Sequence, residues 1–306
     1  MNRSAAVGVG LAADLVFGEL PVDPHPVAAF GTAMTTLEKH CYRDSRVAGT
    51  LFALCGVFIS GVVGLLARST GFATFVAAAP NGLFSAARDV HAALENDDLP
   101  TARTKLRSLV GRNPDDLDEQ EISRAAIESV AENMVDAVVA TAFWGVIAGA
   151  PGVCIHRAIN TLDAMVGHHD SRYEKFGWAS ARLDDVLAYV PARLTALIVL
   201  LLRPSRSREI WRAVRHDAPN HPSPNAGVAE AAFAAALDLQ LGGTNVYGDE
   251  IERRPLLGTG KSPNRTDIVR TIQLARHVCL AVCGLCVSLS ILGHLGFGRA
   301  RNRHRR

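Results

Sequence analysis

The chain has 306 residues, 48% of them apolar and 20% charged, with a formal net charge of +2 and a mean hydropathy of +0.14. So small a charge excess, with no basic run interleaved with aromatics, argues against a nucleic-acid partner. Charge is scarcer than in ordinary soluble domains, and six cysteines in a chain this long make no disulfide framework, so a membrane class has to be tested.

In chain order, the first apolar segment, 5–17, is interrupted by Asp14 and lacks the small-residue cleavage site of a signal peptide. In "PVDPHPVAAFG", which follows, His25 stands between Pro24 and Pro26; a prolyl frame fixes an imidazole at little entropic cost. Segment 47–67 carries no charge over the roughly 20 residues a bilayer span needs, and its glycines permit close helix packing. Segment 71–87 contains Pro80; like 5–17 it is a candidate span or re-entrant piece. Leu94, Leu99, Leu106 and Leu109 on a charged background predict a helix. From Asn113, a cap-like residue before Pro114 and an acid-rich first turn predict another. Along it Ile122, Ala126, Val130 and Met134 recur at spacings of four, which defines a buried face.

The same segment carries the first polar cluster. Glu132 and Asp136 share a helical face, with Glu128 one turn earlier and Asn133 adjacent. Like charges at that spacing repel by a few tenths of a kcal/mol. Either the turn is simply solvated or a cation compensates, and magnesium suits one or two carboxylates completed by phosphate oxygens. Segment 137–155 is long enough to span but is broken by Pro151. The second cluster, "NTLDAMVGHHDSRYEKFGWASARLDD", places Asn160 and Asp163 on one face, then His168, His169, Asp170 and Arg172, then Arg182 before Asp184 and Asp185. Neither the His pair nor the Asp pair of this cluster stands at a recognised zinc spacing, which argues against zinc there. Segment 186–202 contains Pro191 and Arg193 and is a weaker span. The third cluster, "DAPNHPSPNAG", frames His221 with Pro222 and Pro224, with Asn225 nearby. Taken singly, each framed histidine reads as a structural group; two framed alike point toward function.

"PLLGTGKS" ends like a phosphate-binding loop, but Pro255 replaces the required first glycine, and the sequence predicts neither a preceding strand nor an immediate helix. The surrounding "LGGTNVYGDEIERRPLLGTGKSPNRTD" is expected to be loop, since no stretch shows sustained strand alternation. Segment 278–298 is the second clear span; Cys279, Cys283 and Cys286 lie along one face of it and read as buried apolar groups. The basic tail from Arg299 favours the cytoplasmic side, and Arg203, Arg206, Arg208, Arg212 and Arg215 ask for the same side. Both demands are met if one or two of the Pro-containing runs pack within the protein rather than cross. The expected fold is therefore all-α: one polytopic integral membrane domain over 1–306, with helix and loop segments carrying the site.

In this order, "DPHPV", "AAIESVAENMVDAVVATAFW", "NTLDAMVGHHDSRYEKFGWASARLDDVLAYVPARLTAL", "DAPNHPSPNAGVAEAAFAAAL" and "LGGTNVYG" resemble one family, the CobD/CbiB proteins of cobalamin biosynthesis, the adenosylcobinamide-phosphate synthases. Two positions depart from the pattern: Asn113-Pro114 replaces a usual Asp-Thr, which removes Asn113 from the candidate catalytic groups, and "ATAFW" replaces an "APLFW"-like run. The resemblance implies a ligase of the cell membrane, crossing it several times, that joins adenosylcobyric acid to 1-aminopropan-2-ol or its phosphate. Other cobalamin-pathway proteins are candidate partners. Amide formation is uphill in water without activation, so ATP as cosubstrate and magnesium follow as expectations.

On that chemistry Glu132, Asp136 and Asp163 are the metal or acid–base candidates, with Asp184 and Asp185 second and one of that pair expected to anchor Arg182. Arg172 and Arg182 would hold phosphate. His25 and His221 would orient substrate or accept the ammonium proton. Asn133, Asn160 and Asn225 would hydrogen-bond corrin side-chain amides. The rival readings are a magnesium-dependent prenyl- or alcohol-phosphate transferase, which wants a second aspartate-rich repeat, and a corrinoid transporter or scaffold, which wants repeated halves.

Overall fold

The structure is a computed structural model that describes residues 2–303 apart from 112–113, 169 and 248–249; for 244–247, 250–253 and 294–303 only the backbone is described. Among the described residues the α-helices are α1 (Arg3–Phe17), α2 (Pro26–Cys41), α3 (Arg46–Ala67), α4 (Thr70–Ala77), α5 (Pro80–Glu95), α6 (Leu99–Leu106), α7 (Glu119–Met134), α8 (Thr141–Val166), α9 (Trp178–Leu202), α10 (Ser207–Arg212), α11 (Ala226–Leu237) and α12 (Arg265–Arg303). Strands β1 (Leu241–Tyr247) and β2 (Glu250–Leu257) pair between α11 and α12. Four helical runs are long and apolar enough to cross a membrane: Arg46–Ala67, Glu119–Val166, Trp178–Leu202 and Arg265–Gly293. Segment 5–17 lies within α1, a helix of 15 residues, and 71–87 is broken between α4 and α5 ahead of Pro80, so neither is one helix of full bilayer length.

The contacts divide the chain into two compact units. The first comprises Met1–Ala79, Ala140–Leu187 and Leu280–Arg306, with α8 packed against α1, α2, α3 and α4. Helix α3 shows why lipid is its surroundings. Val47, Leu51, Leu54, Phe58, Val62 and Leu65 form an exposed stripe, whereas the buried face is Gly49, Ala53, Gly56, Ser60 and Gly64 with Phe52. Large residues outward and small residues inward reverse the pattern of a soluble helix and suit close packing within a bilayer. Replacing Phe58 with arginine, near the middle of α3, should cost about 3 kcal/mol of insertion free energy. The inserted fraction of full-length protein in isolated membranes measures it; undiminished insertion would place this stripe in water instead.

Helix α8 is bent where Gly149 adopts φ +70°, two residues ahead of Pro151, so the interruption expected from the proline falls on the glycine just before it. The core beside it gathers Met34, Phe52, Leu162, Val166 and Phe176.

The second unit comprises Pro80–Val139 and Ala188–Cys279. Its centre is α11, all twelve residues of which are buried, packed against α7 and α10. Ile122, Ala126, Val130 and Met134 are fully buried along α7, as their spacing predicts. That helix begins at Glu119, not near Asn113, because Asp118 and Glu121 form a reciprocal capping box; Asn113 itself lies outside the described residues. The strand pair corrects the expectation of loop over 241–257. Gly242 and Gly243 hide the alternation of β1, and the signal overlooked is Gly248-Asp249 between Val246-Tyr247 and Ile251, a hairpin-type pair. All six cysteines are free; Cys279 and Cys286 are buried and Cys283 is half-buried.

Candidate active site

In the first unit, the Pro24–His25–Pro26 frame places His25 as the N-cap of α2, where its Nδ1 accepts the Val27 N–H at 3.4 Å. His25 lines an open cavity of about 560 Å³ with Glu19 and with residues of α2 (Val27, Ala28, Gly31, Thr32, Thr35) and α8 (Arg157, Thr161, Met165); Val76 of α4 also lines it. From Arg157 a polar chain runs away from that wall. Arg157 Nη1 donates to Asn160 Oδ1 at 3.3 Å, and Asn160 Nδ2 donates to Asp184 Oδ1 at 3.4 Å. Asn160 and Asp184, separated by 24 residues in sequence, are thereby brought together. Asp185 is the acid that anchors Arg182, at 3.9 Å. Asp163, half-buried, caps the end of α8 through its carbonyl, which accepts the Gly167 N–H at 2.7 Å. His168 is exposed, and His169 lies outside the described residues.

Arg172 stands elsewhere in this unit. It pairs with the buried Glu38 at 2.9 Å, stacks over the Tyr42 ring at 4.4 Å, and shares Glu38 Oε1 with the Tyr173 hydroxyl, also at 2.9 Å. Glu38 holds its guanidinium more firmly protonated than usual. Burial raises the Tyr173 pKa above its ordinary 10.0; the hydrogen bond to Glu38 adds to this and the one with Arg172 opposes it. An acid with a raised folded pKa stabilises the fold fully below its unfolded value and loses that contribution as pH climbs through the folded one. Alkaline spectrophotometric titration should therefore show one of the four tyrosines ionising late. The late phase should vanish in Tyr173→Phe; an unchanged curve would remove the Glu38 contact from solution.

In the second unit, α7 passes at Val135 into a π-helical turn, Val135–Ala140, which takes in Asp136 of the acid cluster; such turns recur at functional sites. Glu132 is exposed and Asp136 half-buried at this junction. Glu128 is spoken for by the fold: buried, it accepts the Gly242 N–H at 2.8 Å and faces Arg254 at 3.8 Å. Asn133 donates back to Ser129, at 2.9 Å to its carbonyl and 3.1 Å to its hydroxyl. The Asn225 side-chain oxygen accepts from Arg193 at 2.9 Å, which compensates the one charged residue in the part of α9 that follows Asp185. The Ser223 N–H donates to His221 Nδ1 at 3.1 Å, and Nε2 lies 3.8 Å from the buried Glu230.

The glycine-lysine turn offers no phosphate cradle, although β2 does precede it and α12 follows at Arg265. Its amides are already used: Gly258 donates to Asp217, Gly260 to the Leu239 carbonyl and Lys261 to the Asp238 carbonyl. Lys261 itself pairs with Asp267 at 3.2 Å. Among the described residues no group of three or more His, Cys, Asp or Glu is arranged to hold a metal. Magnesium fits only in its other mode, one or two carboxylates completed by substrate oxygens, for which Glu132 and Asp136 have the accessible geometry. Sequence reasoning missed Arg157, Glu19, Glu38 and Glu230. Arg157, charged and close after an apolar run, was the detectable one.

These helices and clusters define an all-α polytopic membrane protein with polar sites set beside apolar spans. The family described as CobD/Cbib protein matches residues 7–275. Cobalamin biosynthesis protein CobD of Mycobacterium tuberculosis is 45% identical over 304 residues, covering 94% of this chain and 96% of its own length. The proteins of the same name from Geobacter metallireducens and Rhodobacter capsulatus are 42% and 38% identical, covering 95% and 96% of this chain and 98% and 99% of their own. No solved structure matches. The chain belongs to the CobD/Cbib family, and with it to cobalamin biosynthesis.

Proposed function

We propose that the chain forms the amide bond between the carboxylate of adenosylcobyric acid and the amine of (R)-1-amino-2-propanol or its phosphate, giving adenosylcobinamide or adenosylcobinamide phosphate. The observation that carries this reading is that the family match, residues 7–275, contains every one of the polar clusters in their expected order. Amide formation requires that a carboxylate oxygen become a leaving group and that the amine reach it unprotonated. ATP is the proposed activating cosubstrate. Magnesium, when bound, offsets the negative charge that gathers at such a centre. We assign Glu132 and Asp136 in the second unit, and Asp163 in the first, to metal or acid–base work, with Asp184 and Asp185 supporting.

His25, on the cavity wall, is the acceptor for the ammonium proton, and His221, held between Ser223 and Glu230, orients substrate. Arg172 and Arg182 are the phosphate contacts of this scheme, and Asn133, Asn160 and Asn225 the amide contacts. The setting is the cell membrane, crossed several times, with other proteins of the pathway as partners. The test is purified chain incubated with adenosylcobyric acid, aminopropanol phosphate and magnesium, with and without ATP, and the product identified by mass. A mass matching the condensed product confirms the ligase; no product under either condition refutes it, and product only after adding a second polypeptide favours the scaffold.

A further inference from the structure

The second unit carries one basic face that the protein itself does not cover. After Leu202, where the apolar run of α9 ends, the chain makes a single 3-10 turn, Pro204–Arg206, and continues through α10 into a π-helical turn, Ala213–Asp217. Ile210 and Ala213 are buried on the side that packs against α11. Arg206 pins the segment there, donating to the Ala235 carbonyl at 3.2 Å and to Asp238 at 2.7 Å. On the other side Arg208, Trp211, Arg212 and Arg215 follow the i, i+3, i+4, i+7 spacing of one helical face. All four are exposed, Trp211 by 61%. Among the described residues no hydrogen bond, ion pair or ring contact engages any of them. From Arg203 to His216 the chain holds five arginines against one acid, Glu209.

An indole favours the boundary between hydrocarbon and headgroups, and a guanidinium favours the phosphates of that layer. The surplus of positive charge selects lipids whose phosphate has no compensating cation beside it. The position suits that layer as well. At about 2 Å per residue, the six positions from Leu202 to Arg208 span roughly 12 Å. The headgroup layer is about 5–8 Å deep on each side, and the field of an anionic leaflet reaches a further Debye length, about 8 Å. We propose that this face docks on anionic phospholipid headgroups of the leaflet where α9 ends, with Arg208, Arg212 and Arg215 on the lipid phosphates and Trp211 between the headgroups. The turn that carries His221 follows directly, so the same contact holds that turn at the membrane surface.

The experiment uses the full chain in nanodiscs of phosphatidylcholine with added phosphatidylglycerol. In one set the phosphatidylglycerol is brominated, in the other an equal amount of the phosphatidylcholine, and bromine quenches the tryptophans it touches. The chain has three tryptophans, so Trp211 is read as the difference between wild type and Trp211→Phe. Phosphatidylglycerol should quench Trp211 as if enriched about fivefold or more over its share. In a variant carrying Arg208→Gln, Arg212→Gln and Arg215→Gln the enrichment should fall to parity, and about 1 M salt should remove it from the wild type. Equal quenching by the two lipids, or enrichment that survives the three substitutions, overturns the proposal. Quenching by neither lipid also overturns it and gives the face to a soluble partner. Enrichment abolished by inorganic phosphate at constant ionic strength would make this a free-phosphate site and overturns it too. Should the triple variant fail to fold, the salt series in the wild type decides alone.

Discussion

Alanine at Glu132 or at Asp136 should abolish amide formation and leave membrane insertion intact. Glu132 is exposed and Asp136 half-buried, and the two stand four residues apart where α7 gives way to the π-helical turn. A structural carboxylate looks different here. Glu128, one turn earlier, is buried and takes both the Gly242 N–H and the Arg254 guanidinium. Removing Glu128 should therefore unfold the second unit, because a buried donor and cation would be left behind. Removing Glu132 or Asp136 should instead lower turnover to background while the melting temperature stays near that of the wild type. Product formation followed by mass, beside a thermal melt of each variant, separates the two kinds of carboxylate. Wild-type turnover in both alanine variants would take this pair out of the mechanism.

The largest structural effect is expected at Gly49. A Cβ on this residue would collide with the Phe176 carbonyl and would lie 2.6 and 2.9 Å from its carbon and Cα, all backbone atoms that cannot rotate away. Phe176 sits at the centre of the core formed with Met34, Phe52, Leu162 and Val166, and its segment carries Arg172 and Tyr173 onto Glu38. Gly49→Ala should therefore cost about 2–3 kcal/mol, as overpacking of a close-packed core does. It should also lose the late tyrosine ionisation, since Tyr173 moves with the displaced segment. The control is Gly61→Ala on the same helix, whose added carbon would meet only the end of the Ile155 side chain at 3.4 Å. Equal melting of the two variants would show that α3 does not approach Phe176 this closely.

Much of the local structure was legible before any fold was known. The charge-free run within α3, the four-residue repeat along α7 and the break near Pro151 are written in spacing and side-chain type, and those properties act within a few turns. Where local signals competed, the sequence misled. Asn113-Pro114 offered the helix start, and the structure puts it at Asp118 instead, where a capping box satisfies two amide groups at once. Two glycines masked β1, because residues without side chains carry no alternation.

Residue order alone was thus enough to establish a helical membrane chain, the course of its longest apolar segments and the polar clusters that accompany them. Which partner each of these polar groups meets emerged only from the folded chain. Glu38 meets Arg172 at a separation of 134 positions, Glu128 meets Gly242 at 114, and Arg157 and His25 come to line one cavity. Periodicity along a helix chooses which face is buried. It carries no information about which distant segment will supply the donor, because that partner is selected by packing of the whole unit.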